Sequence, residues 1–122
     1  MKVMILANEA PEDFALREDR KQFEGYMGEW YAFSEGLSRD AGGYEGAALE
    51  GPETATVVSV RNGARHVEDG PYPDAKEQLG GFFLLDAPDM ETAVAWAKKC
   101  PAAKKGFVDV RAVPYLDEEA SQ

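Results

Sequence analysis

Four side chains in the second half of the sequence have types and positions suited to chemistry. Asp69 precedes Gly70-Pro71 at the end of a predicted strand. A carboxylate there serves as a general base where burial lifts its pKa toward working pH. It can equally close an Asx turn by accepting backbone N–H groups. Lys76 and Glu77 follow in the next loop. The ammonium could orient an anionic substrate while the carboxylate moves a proton; as surface groups they form an ion pair contributing roughly 0–1 kcal/mol. Arg111 alternates with Val110 in a predicted strand, and its planar fork suits a carboxylate or oxyanion ligand. The structural alternative for it is a cross-strand pair with Asp69 or Glu77.

Other reactive residue types point to packing or to surface. His66, the single histidine, lies two residues from Glu68 and could form a His-carboxylate dyad, but a surface role is the simpler reading. Cys100, the single cysteine, sits at a predicted helix C-terminus, whereas low-pKa thiolates favour N-termini, so it reads as core. One histidine and one cysteine exclude a multi-His metal site or an all-Cys cluster within one chain. Gly80-Gly81 precedes a strand rather than opening a helix, so it is not a phosphate loop. No Ser-His-Asp spacing or nucleotide fingerprint appears. No metal and no cofactor are expected.

The elements that must position these groups follow from periodicity. Residues 2–7 are a short apolar run and read as a buried first strand, and residues 8–13, with Pro11, as a loop. Phe23, Met27, Trp30 and Leu37 recur at helical spacing within residues 19–39, with Gly42-Gly43 as the stop. Gly25 and Gly28 weaken this helix by about 1 kcal/mol each relative to Ala. Residues 44–49 are a possible short strand. Residues 54–61 and 64–68 form a hairpin around Asn62-Gly63, the pair that a type I′ turn demands. Residues 79–86 are a strongly apolar strand. Asp89 is placed to cap a helix carrying Met90, Ala93, Val94 and Ala97 on one face, which Pro101 ends. Residues 107–113 alternate as a last strand, and residues 114–122 read as a flexible acidic tail.

The 122 residues suffice for one domain, 1–122, and the net charge of −10 argues against phosphate backbones and anionic membranes. The basic cluster Lys98, Lys99, Lys104 and Lys105 surrounds a helix C-terminus, where cations favour the dipole. No apolar run reaches the ~20 residues of a membrane span, and the opening apolar run is too short for a signal peptide. The expectation is a cytoplasmic protein that binds neither nucleic acid nor membrane.

The order β-α-β-β-β-α-β predicts an α+β fold, a ferredoxin-like split βαβ with an extra hairpin strand and both helices on one sheet face. The other face needs cover. Because Val57, Val58, Val60, Phe82, Phe83, Leu84 and Leu85 feed apolar groups to both faces, a homodimer with sheets packed face to face is expected.

The segments Asp69-Gly70-Pro71-Tyr72, Asp74-Ala75-Lys76-Glu77, Leu79-Gly80-Gly81, Cys100-Pro101 and Val108-Asp109-Val110-Arg111-Ala112-Val113 occur in this order. Together they resemble the YCII-related family in its DGPF-domain branch. The departures are Tyr72 for Phe, Ala75 for Thr, Ala112 for Pro, and Ala47 where relatives often carry Glu. The resemblance implies the dimeric α/β-barrel superfamily fold. It also implies either a cofactor-free lyase or isomerase or a regulatory protein.

Two functional readings follow. In the first, a pocket between the sheet and the first helix binds a small anionic or aromatic molecule. Asp69 and Glu77 are its catalytic acid–base pair, and Tyr72, Lys76 and Arg111 bind the ligand. In the second, the chain is a non-catalytic regulatory or interaction dimer in which the DGPY loop is structural.

Overall fold

A computed structural model of the chain describes residues 1–70 and 76–114. The first strand, β1 (Lys2–Glu9), runs two residues further than its apolar stretch suggests. Its alternation buries Val3, Ile5, Ala7 and Glu9 on one face. Pro11 then opens a helix rather than a loop: α1 (Pro11–Leu16) has Pro in its first turn together with Glu12 and Asp13. The fixed proline φ is pre-organised for that position, and the acids favour the dipole. Burial lifts the Asp13 carboxyl above its ordinary value, a shift opposed by Lys105.

The long helix α2 (Phe23–Ala41) starts after a turn in which the Asp19 side chain accepts the N–H groups of Lys21 and Gln22. It ends at Gly42, whose φ of 76° is left-handed. Gly25 and Gly28 face open space; a Cβ on either meets nothing within 4 Å. Gly25→Ala is therefore expected to raise stability by about 1 kcal/mol, the helix-propensity difference, seen as a higher Tm. An unchanged or lower Tm would mean that this helix needs the missing side chain.

Beyond α2 come β2 (Glu45–Ala48), the hairpin strands β3 (Thr56–Arg61) and β4 (Ala64–Asp69), then β5 (Gln78–Asp86). Helix α3 (Met90–Ala97) and β6 (Phe107–Ala112) follow. Asp89 caps α3 by accepting the Thr92 N–H at 2.7 Å. Pro101 does not only terminate: it opens a short 3-10 turn, Pro101–Lys104. From that turn Lys104 reaches Glu29 of α2 at 2.8 Å, so this lysine of the basic cluster is paired.

Four strands form one antiparallel sheet in the order β2-β5-β1-β6, the ferredoxin-like arrangement. The hairpin is inserted between two neighbouring strands of that sheet and, among the described residues, pairs only with itself. Asn62 and Gly63 have φ of 51° and 79°, as a type I′ turn requires. Val57, Val58 and Val60 consequently contribute to this separate ribbon and not to the main sheet.

Helices α2 and α3 cover one sheet face. Val3, Ile5, Ala7, Phe83 and Leu85 meet Phe33, Leu37, Ala93 and Ala97 there, with Cys100 and Ala102 sealing the end. The opposite face presents Met4, Leu6, Phe82 and Leu84, all half-buried, and the exposed Phe107. No helix among the described residues is long and apolar enough to cross a membrane.

Candidate functional site

The inward alternation of β1 ends on a carboxylate. Glu9 follows Val3, Ile5 and Ala7 on the buried face and is 1% exposed. Room for it comes from β5: Ala7 pairs with Gly81 and Asn8 with Leu79, so Gly80 is an extra residue at a bulge. The Glu9 carboxylate occupies the space of the missing Gly80 side chain; a Cβ there would lie 2.6 Å from Glu9 Cδ. A glycine inside a strand often marks such a close approach.

A buried carboxylate is costly unless it is paired and hydrogen-bonded. Arg17, just after α1, supplies the charge, its Nη2 lying 2.5 Å from Glu9 Oε2. The same nitrogen donates to the Gly80 carbonyl at 3.2 Å, and Nη1 donates to the Leu49 carbonyl. Its guanidinium carbon stands 4.7 Å from the Phe14 ring centroid, within cation–π range. From α2, the Tyr26 hydroxyl donates to the other carboxylate oxygen, Oε1. Burial first, then this bond to Glu9, hold the Tyr26 phenol well above its ordinary pKa, so it stays protonated. Three consecutive pieces of the chain thus converge on one carboxylate against the Gly80 backbone.

Glu9, Arg17 and Gly80 line a cleft of about 410 Å³ between α2 and the β5–β2 side of the sheet. Phe23, Met27, Trp30 and Tyr31 from α2, with Tyr44 and Phe83, form its other walls. These aromatics hold one another. Phe83 stacks on Trp30 (centroids 6.4 Å, planes 12° apart) and takes edge contacts from Phe33 at 5.3 Å and Tyr44 at 5.2 Å. The volume suits a small ligand, and an apolar wall with few polar groups is the usual character of such sites.

The residues singled out from sequence lie elsewhere. Asp69 ends β4, opposite Thr56, and is exposed. Lys76 is exposed and Glu77 half-buried immediately before β5. Arg111 pairs with Met4 in the sheet and so shares the face opposite α2 and α3, away from the cleft. Among the described residues, no hydrogen bond or ion pair joins Asp69, Lys76, Glu77 or Arg111 to one another. Tyr72 and the rest of residues 71–75, and all but the first residue of the acidic tail, lie outside the described residues. Ala47, where the resemblance leads one to expect Glu, sits on β2 opposite Phe82 and borders the cleft. His66 is exposed opposite Ser59. Cys100 is buried, and burial pushes its thiol up to about 11, in keeping with a core role. The described residues contain no cluster of metal-binding side chains.

Sequence reasoning missed Glu9, Arg17 and Tyr26. The signal for Glu9 was present: the i, i+2 alternation of Val3, Ile5 and Ala7 continues onto it, and a glycine pair stands in the apolar strand. Arg17 and Tyr26 carry no local mark.

The architecture is a ferredoxin-like α+β domain with an inserted hairpin and a cleft beneath its long helix. The YCII-related domain matches the chain over residues 1–116, and the protein belongs to that family. No curated protein matches the sequence.

Proposed function

We propose that this protein binds a small aromatic molecule in the cleft between α2 and the sheet. In this reading it acts there as a cofactor-free lyase or isomerase. One observation carries the reading: among the described residues the aromatic-walled cleft has a single carboxylate in its lining, and Arg17 and Tyr26 hold that carboxylate in place. Aromatic walls recognise a planar ligand, and Glu9 is the group placed to exchange a proton with it. Asp69 and Glu77 as acid–base groups, with Tyr72 and Lys76 as ligand-binding groups, remain in the proposal only as parts of the segment that leads into β5; Arg111, on the opposite sheet face, is not part of this cleft.

A thermal-shift screen of small aromatic compounds tests the binding. A native-state ligand raises the apparent Tm in a concentration-dependent way. For a compound that is turned over, Glu9→Gln should abolish turnover and keep binding. Asp69→Ala and Glu77→Ala, run in the same assay, measure the share of the β5 leader. A broad aromatic panel that leaves Tm unmoved would remove the reading.

The same proposal includes a cytoplasmic homodimer. Among the described residues no helix covers Met4, Leu6, Phe82 and Leu84, and the hairpin bears the exposed Val58, Val60 and Val67. A second copy laid sheet to sheet would cover the first group. This feature also favours the second reading, a non-catalytic interaction dimer. Light scattering should give twice the chain mass at micromolar concentration; a monomer would reject the pairing.

A further inference from the structure

The cleft is unusual in how its charges are arranged. Among the described residues of its lining, Glu9 and Arg17 are the charged ones, and they are bonded to each other at 2.5 Å. Three of the five Arg17 N–H donors are engaged: Nη2 serves Glu9 and the Gly80 carbonyl, and Nη1 serves the Leu49 carbonyl. Glu9 is engaged at both oxygens, by Arg17 and by Tyr26. The cluster is neutral as a unit.

An ion moved from water into an apolar cleft needs a counter-charge to offset its lost hydration. An anion would find the Arg17 charge already compensated by the buried carboxylate next to it, within a chain of net charge −10. A cation would find that carboxylate already compensated. An uncharged aromatic faces neither cost, and the remaining hydrogen-bonding groups of the lining, such as Ser34 and Tyr44, can still serve a hydroxyl or carbonyl on it.

Resting on the reading of this cleft as a ligand site, we propose that it selects uncharged aromatic ligands and that Glu9 sets this selectivity by neutralising Arg17. Glu9 is thus a specificity-determining residue: without its charge, the same walls become a site for aromatic anions.

Three probes of one shape test this: naphthol (neutral), naphthoate (anionic) and naphthylmethylammonium (cationic), titrated calorimetrically at pH 7. The wild-type protein should bind naphthol at least about tenfold more tightly than either ion. Glu9→Gln keeps the size and a hydrogen-bonding carbonyl but leaves Arg17 uncompensated. It should reverse the order, with naphthoate the tightest by about tenfold. Should Glu9→Gln fail to fold, Arg17→Met exposes the opposite charge and should favour the ammonium.

An ion that matches naphthol on the wild-type protein overturns the proposal, as does an unchanged order in a folded Glu9→Gln protein. Failure of all three probes to bind overturns it as well, and removes the aromatic-ligand reading of the cleft along with it. A purely structural Glu9 would change stability in these variants and leave the order of the three probes untouched.

Discussion

Gly80→Ala should cost about 3 kcal/mol of stability, because the new methyl group and the Glu9 carboxylate cannot occupy the same space. The added Cβ would fall 2.6 Å from Glu9 Cδ and also crowd Oε2 and the Arg17 Nη2. Relief requires the carboxylate to swing away, which separates it from Arg17 and leaves the Tyr26 hydroxyl without its acceptor. Breaking one side of a buried ion pair typically costs 3–5 kcal/mol, and the lower end applies because the Arg17 side chain keeps 21% of its surface in solvent. Urea denaturation would show a lower midpoint with an unchanged slope. Gly25→Ala, where the added methyl meets open space, should move the midpoint the other way. A Gly80→Ala protein as stable as the parent would mean that the carboxylate has another place to go and that the bulge is not built around it.

The second large effect is expected at Phe83. This ring is at the centre of the aromatic group, with Trp30 on its face and Phe33 and Tyr44 against it, and it is 8% exposed. Phe83→Ala should cost about 3–5 kcal/mol, the usual range for deleting a buried aromatic. Phe83→Leu should recover much of that loss, since it restores apolar volume without the ring contacts. Because Phe83 belongs both to the core and to the cleft wall, the alanine variant should also weaken binding of any aromatic ligand. Equilibrium unfolding and calorimetry on the two variants check both statements. A loss under about 1 kcal/mol would show that the surrounding rings collapse into the space.

Much of the fold is legible in the sequence because its signals are local. Asn62-Gly63 specifies the hairpin through the φ values that only such residues adopt easily. Asp89 declares its cap three residues ahead of the amide it binds. The apolar spacing from Phe23 to Leu37 needs nothing beyond the helix period. The start of the chain is harder to read. Pro11 breaks a strand and begins a helix with equal ease, and treating it only as a breaker turned residues 8–13 into a loop and hid Glu9.

The site is less legible than the fold because its bonds span the chain. Tyr26 is 17 residues from Glu9, and Gly80 is 63 from Arg17. No spacing rule links such positions; only the strand register does. Gly80-Gly81 is visible as a signal, but the object that needs its space is not. The DGPY segment and Arg111 stand out by residue type. The register sends Arg111 to the face opposite α2 and α3 instead, and Asp69 ends a ribbon that, among the described residues, pairs with no strand of the main sheet.

That ribbon has a further consequence. Among the described residues each of its two strands has a neighbouring strand on one side only, and such a margin is a template for an added strand. Along β4 the charges of Arg65, Glu68 and Asp69 discourage such growth, whereas the first five residues of β3, Thr56 through Val60, carry none. The margin of β3 is therefore a point open to self-templated polymerisation. The charged Arg61 at its end is the one gatekeeper the strand possesses.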